Sequence, residues 1–253
     1  MPSRTDRSSA RERIAARRAA EEARRQAAQR RKVQLTVGAV VAAVLVVAIV
    51  VTVLVQQART DTTGSASPRN TASGTGGTAF ALGQADAPVV VDVYEDYQCP
   101  ACRALEADAG NRLDQLAADG KALVRLHPVA ILDHASDDRY STRAANAAAV
   151  VADAQGPEVF RTFTTSLFDH QPAENGPGLT DDQLVDLAAQ AGAKGSAVGS
   201  GIRDGRFADW VARATDKASR DGLTATPMVL VDGEQLPAPS ADSITAAVQA
   251  AAG

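Results

Sequence analysis

The 253-residue chain is poor in several residue types, and each scarcity narrows what it can be. Aromatic residues make up only 4 %, against 45 % apolar residues overall, so a core must be built mainly from Ala, Val and Leu. There are three histidines, His127, His134 and His170, with no i,i+3 or i,i+4 pairing among them. They supply no second half for a four-ligand metal site, and no metal is expected. Only four of the 26 basic residues are lysine, an Ala- and Arg-rich usage that points to a GC-rich bacterial genome. The chain has two cysteines, Cys99 and Cys102, three positions apart with Pro100 directly after the first. No internal repeat is visible.

Charge is unevenly placed. Residues 1–32 hold eleven basic and four acidic side chains, a net of +7, and the remainder holds fifteen against 26, a net of −11. A basic head on an acidic body suits a nucleic-acid arm or a membrane topology signal. The next segment decides for the membrane. VGAVVAAVLVVAIVVTVLV, Val37 to Val55, carries no charge and a single polar side chain, Thr52. As a helix it is about 28 Å long, close to the ~30 Å hydrocarbon core of a bilayer. Val33 and Leu35 extend it, so residues 33–55 are expected to form a single transmembrane anchor. The basic region is too long, and the apolar run too extended, for a cleaved signal peptide. The positive-inside rule places residues 1–32 in the cytoplasm and everything after Val55 outside it. The chain is thus expected to be a single-pass cell-membrane protein touching lipid and no nucleic acid.

Residues 56–79 are Gly, Ser, Thr and Ala with almost no large apolar group, and are expected to form a flexible linker. The body is expected to run from Phe80 to the C-terminus as one domain. VVVDVY, Val89 to Tyr94, is a β-branched run that reads as a buried strand. The cysteine pair follows, then Leu105, Ala109, Leu113 and Leu116 at helical spacing up to Gly120. Gly110 sits inside that helix and weakens it locally. ALVRL, Ala122 to Leu126, reads as a second strand.

A helical block follows at about 139–222. It holds an Ala-rich helix ending at Gly156, a helix opened by Pro157, one opened by the capping box TDDQ at Thr180, and one through Phe207 and Trp210. Its stripe of Phe160, Phe163, Phe168, Phe207 and Trp210 is expected to be core rather than a ligand groove. MVLV, Met228 to Val231, then reaches the turn signal Asp232-Gly233, and a helix with Ile244, Ala247, Val248 and Ala251 closes the chain. The order is β-α-β, helices, β-β-α.

For the cysteine pair three chemistries compete. A structural disulfide three residues wide closes the smallest of loops and stabilises little. A metal site lacks ligands. A redox pair accounts for the details. Cys99 falls where a strand's loop meets a helix, and Pro100 takes the first helical position, where its missing N–H costs nothing. The free N–H groups of Ala101 and Cys102 and the helix dipole then stabilise a Cys99 thiolate. Cys102, one turn on, is the more buried, resolving thiol.

EDYQCPAC after the first strand, LDHASDDRYSTRAANAA at Leu132 to Ala148, the helical block, and TATPMVLVDG at Thr224 to Gly233 together resemble the DsbA-like branch of the thioredoxin superfamily. The resemblance spans Phe80 to the C-terminus. It implies an α/β thioredoxin fold with an inserted helical domain, and a thiol-disulfide oxidoreductase with Cys99 as nucleophile and Cys102 as resolving thiol. It makes Pro100 and Ala101 supporting residues and Thr226-Pro227 a cis-proline loop whose backbone pairs with substrate. No cofactor is implied. The activity it implies is an oxidase introducing disulfides into secreted or exported proteins, reoxidised by a quinone-linked membrane partner, DsbB-like or vitamin-K-epoxide-reductase-like. The alternatives are a reductase or isomerase on the same fold, or a redox-silent chaperone or binding module.

Two departures stand out. The position of the family's buried acid, six residues before the first cysteine, holds Val93, leaving Asp92, Glu95 or Asp96 to substitute through water, or no residue to do so. The histidine of strongly oxidising relatives is replaced by Ala101, which implies a less extreme potential.

Overall fold

In the computed structural model, residues 66–253 are described, and all of them fall in one compact unit. The basic head, the expected membrane span at 33–55 and the linker up to residue 65 lie outside the described residues. Among the described residues no helix is long and apolar enough to cross a membrane.

The elements in chain order are β1 (Phe80–Leu82), β2 (Val89–Glu95), α1 (Pro100–Ala118), β3 (Ala122–Pro128), α2 (Tyr140–Gln155), α3 (Pro157–Asp169), α4 (Asp181–Gln190), α5 (Ser196–Arg203), α6 (Ala208–Arg220), β4 (Met228–Val231), β5 (Glu234–Gln235) and α7 (Ala241–Ala251). A short 3-10 turn, Asp133–Ala135, precedes α2. The sheet order is β1-β3-β2-β4-β5. β2 and β3 run parallel, joined through α1, and the other pairs are antiparallel. Two elements go beyond the sequence reading. β1 is three residues long, too short for a period to show, and pairs Phe80 with Leu126. α5 is glycine-interrupted, with Gly199 and Gly201 buried inside it.

Alternation along β2 sorts the site's side chains. Val89, Val91, Val93 and Glu95 face one layer, and Val90, Asp92 and Tyr94 the other. The first face meets α1, which also packs against α7. On the second face Tyr94 and Leu230 join Val129, Ala218, Leu223 and Met228, under α6. There Asp92 accepts from Arg125 (Nε, 2.6 Å) and from His127 (Nε2, 2.7 Å), and the His127 ring stacks on Tyr94.

The helical block is built around α2, in which Ala144, Ala145, Ala147, Ala148 and Ala149 are fully buried. With methyl side chains on every face, this helix lets α3, α4, α5 and α6 all pack against it. The aromatic stripe is core as expected. Phe160, Phe163, Phe168, Phe207 and Trp210 are all buried, with Phe80 lying 4.7 Å from Phe160 and 5.4 Å from Trp210 by ring centroids. The box at Thr180 forms, with Gln183 N–H donating to the Thr180 hydroxyl. Asp232 and Gly233 both take positive φ, 47° and 86°, as a tight hairpin requires.

The expected linker needs a shorter boundary. Residues 68–79 lie against the body rather than leading up to it. The Arg69 backbone N–H and Nε donate to Asp153 Oδ1 at 2.8 and 3.0 Å, and Asn70 Nδ2 caps the end of α2 at the Ala152 carbonyl. Trp210 Nε1 donates to the Gly77 carbonyl at 2.6 Å. Hydrogen bonding and one buried indole hold this segment, where its own apolar content offers little.

Candidate active site

Cys99 is the N-cap of α1, in extended conformation, and Pro100 is the first helical residue. Local hydrogen bonds hold the turn: Cys99 N–H donates to the Asp96 carbonyl at 2.9 Å, and Arg103 N–H to the Cys99 carbonyl at 3.2 Å. Pro100 and Ala101 are exposed, while Cys99 and Cys102 are buried, as free thiols. From the far side of the site comes the loop before β4. Its Thr226–Pro227 bond is cis, and the Thr226 carbonyl oxygen lies 3.3 Å from Cys99 Sγ. All six expected site residues therefore meet at one point.

The two thiols are electrostatically opposite. The Cys99 thiol is pulled down to about 5, first by a hydrogen bond from the Cys102 S–H. The Thr226 hydroxyl and the N–H groups of Cys102 and Ala101 add to this, against the cost of burial. The Thr226 hydroxyl is buried and pairs with no nitrogen or oxygen. Burial and the neighbouring Cys99 sulfur push Cys102 far up. Cys99 is thus a thiolate at neutral pH and Cys102 a thiol. One gives up a substrate sulfur easily, and the other must receive a proton when its disulfide opens.

Of the three acids that might stand in for Val93, the fold separates the roles. Asp92 lies on the opposite face of the sheet. Asp96 is fully buried and turned toward the helical block. Its Oδ1 accepts from Ser141 Oγ (2.6 Å) and Gln98 N–H (2.9 Å), and its Oδ2 from Leu132 N–H (2.9 Å). Burial lifts its carboxyl to about 6. Glu95 remains. It shares a face with Val93 and lines a cavity of about 10 Å3 with Cys102, Val93, Leu105, Glu106, Arg161 and Pro227. That space is about the size of one water. Burial, and then the charge of Glu106, lifts Glu95 to about 8, while Arg161 pulls the other way. Glu95 lies two residues along the strand from Val93, on the same face. Period-two alternation, once it is known which face meets α1, is the signal that could have singled it out.

Other residues escaped the sequence reading because nothing local marks them. Gln171, just past α3, donates from Nε2 to the carbonyls of both Tyr97 and Cys99 at 2.9 Å. Gln98 is buried and donates to the Ala173 carbonyl at 3.3 Å. With Ser141 they tie the cysteine loop to the helical block, which positions the site as well as covering it.

Residues 75–250 match the family model described as Thioredoxin. Among solved structures, the oxidised DsbA of Mycobacterium tuberculosis is 32 % identical, covers 69 % of this chain and 93 % of its own, and superposes with a TM-score of 0.61. Among curated proteins, the serine/threonine-protein kinase PknE of M. tuberculosis is 31 % identical over 155 residues, 58 % of this chain. The disulfide bond formation protein D of Bacillus subtilis is 27 % identical over 152 residues, 60 % of this chain and 66 % of its own. The chain spans about a quarter (27 %) of the length of the kinase it matches.

Proposed function

The chain belongs to the thioredoxin family, in its DsbA-like group, and from that premise we propose that it is a membrane-anchored thiol oxidase acting outside the cytoplasm. The observation that carries this reading is the environment of Cys99. A dithiol whose nucleophilic sulfur is held as a thiolate near 5 is stabilised in its reduced form, and its disulfide is correspondingly oxidising. With Ala101 between the cysteines, the thiolate lacks the added support of a histidine, and the potential is less extreme than that of the strongest oxidases.

The chemistry runs as follows. A substrate thiolate attacks Cys99 Sγ of the Cys99–Cys102 disulfide. The sulfur–sulfur bond breaks and its electron pair goes to Cys102, which takes a proton from Glu95 across the cavity. A second substrate thiolate attacks the substrate sulfur of the mixed disulfide, forming the substrate disulfide and releasing Cys99 as a thiolate. The substrate loses two electrons and two protons; one proton restores Glu95 and the other goes to solvent, so the enzyme gains two electrons and one proton. The Thr226 backbone beside the cis bond pairs with an extended substrate segment.

The uncharged run at Val37 to Val55 and the basic head support the anchoring and its orientation. Substrates are exported proteins carrying free thiols. The reduced pair is reoxidised by a quinone-linked membrane protein, DsbB-like or vitamin-K-epoxide-reductase-like. Tethering raises the local concentration of the domain near both.

The test is Cys102→Ala in the full-length chain in cells. Mixed disulfides with exported proteins accumulate through Cys99, and the wild-type pair is found oxidised. If no adducts form while the wild-type pair stays reduced, the oxidase reading fails.

A further inference from the structure

Helix α3 stops just before a proline, and the turn that ends it delivers one amide to the cysteine loop. His170 N–H and Gln171 N–H close onto the carbonyls of Ser166 and Phe168, at 3.1 and 3.2 Å, and Pro172 cannot extend the helix. The Phe168 ring lies 5.2 Å from that of Tyr97 by centroids, and both are buried. Gln171 is therefore fixed at its backbone and faces the stretch from Tyr97 to Cys99. Its Nε2 uses both hydrogens there, one on the Tyr97 carbonyl and one on the Cys99 carbonyl, each at 2.9 Å. Gln98, between those two residues, returns a bond from its own Nε2 to the Ala173 carbonyl at 3.3 Å. Residues 97–99 and 171–173 thus hold each other through three hydrogen bonds.

A clamp on these carbonyls bears on the chemistry because of where Cys99 stands. It is the N-cap of α1, at φ −77° and ψ 118°, and its carbonyl accepts the first bond of the helix, from Arg103 N–H at 3.2 Å. Turning the peptide that joins Cys99 to Pro100 would move that carbonyl and carry the N–H groups of Ala101 and Cys102 away from the sulfur. Those N–H groups are among the supports of the thiolate, and with Ala101 in place of a histidine no side chain between the cysteines shares that task. We infer that Gln171 is a positioning residue for the nucleophile: it pins the Cys99 carbonyl, aims the N–H groups of Ala101 and Cys102 at Cys99 Sγ, and so stabilises the thiolate. It acts through the backbone alone. This rests on the reading of Cys99 as a stabilised thiolate and does not depend on the direction of electron flow. The titratable neighbours of that sulfur are Cys102, one turn on in α1, and Asp96, in the loop before it, while Thr226 opposite supplies a neutral hydroxyl. Gln171 is neutral and adds no charge to this set. The helical block reaches the nucleophile through one amide as well as covering it.

The test is Gln171→Met in the reduced full-length protein, which keeps the length of the side chain and removes both donors. Thiolate absorbance is expected to place the Cys99 titration about half to one pH unit higher than in wild type. Equilibration with glutathione at pH 7 is expected to find the disulfide about three- to tenfold less oxidising, because each pH unit on the thiolate carries tenfold into that equilibrium. Gln171→Asn retains an amide but is one methylene short of bridging both carbonyls. It moves both readings the same way, and it serves if the methionine variant does not fold. Trp210→Phe loosens the body at the 68–79 segment and leaves both readings where they were, which separates lost stability from a lost clamp. If the folded Gln171 variants titrate and equilibrate as wild type does, whatever their stability, the contact is structural only and the inference is overturned while the thiolate reading stands. If Cys99 of the wild type itself titrates near or above about 8, the thiolate reading fails and this inference with it.

Discussion

Cys99 Sγ lies 3.3 Å from the backbone carbonyl oxygen of Thr226, 127 positions further along the chain. The Thr226 side chain takes part as well, through a buried hydroxyl that pairs with no nitrogen or oxygen and lowers both thiols. Thr226→Val removes that hydroxyl with little change of shape. The Cys99 thiol titrates higher than in wild type and the protein becomes a weaker oxidant. Titration of the purified variant and its equilibration with glutathione check both.

The protonation states set the pH dependence of the potential. Above about 5, Cys99 is a thiolate in the reduced protein, so reduction of the disulfide takes up one proton, at Cys102, rather than two. A one-proton, two-electron couple changes by about −30 mV per pH unit, against about −59 mV for two protons. Equilibration with glutathione between pH 6 and 7.5 is expected to give the smaller slope.

Asp96 holds the cysteine loop to the helical block through three donors, and burial raises its carboxyl to about 6. A raised carboxyl keeps its proton longer in the folded protein than in the unfolded chain. Its contribution to stability is therefore full at low pH and declines as pH rises from about 4 through 6. Asp96→Asn removes that dependence. It also sets an amide donor against one of the three donors, costing about 1–3 kcal/mol in urea denaturation at pH 7. Because Asp96 is still largely protonated where Cys99 titrates, near 5, the Cys99 titration moves little in this variant. A variant that is less stable at pH 7 with an almost unchanged Cys99 titration is the expected outcome.

The segment at 68–79 is held by the indole of Trp210 on the Gly77 carbonyl. Trp210→Phe keeps most of the ring and loses this bond, with an expected cost of about 1–3 kcal/mol for the carbonyl left unpaired. Amide hydrogen exchange at residues 72–79 is expected to accelerate more than in α2. Equal acceleration throughout would show that the segment unfolds only with the body.

Most of the scaffold was legible because its signals are local. The β-branched run of β2, the capping residues around Thr180, the Asp232-Gly233 turn and the placement of Pro100 each encode geometry in a few neighbouring residues. What was not legible depends on distance. β1 is defined by its pairing with β3, not by a pattern of its own. Residues 68–79 look like a linker because the partners that hold them, Asp153 and Trp210, are more than 80 residues away. The acid beside Cys102 could be narrowed to three candidates, but choosing Glu95 required knowing which face of β2 meets α1. Gly110, read as a weakness in a helix, makes room for Arg161, which comes from another helix.

The most direct test of the account is the ionisation of Cys99 itself, followed by thiolate absorbance at 240 nm in the reduced protein with Cys102 intact. The titration is expected near 5, and Cys102→Ala is expected to move it upward, because the Cys102 S–H is the largest support of the thiolate. A Cys99 that titrates near or above about 8, close to an ordinary thiol, would contradict both the thiolate and the oxidase built on it.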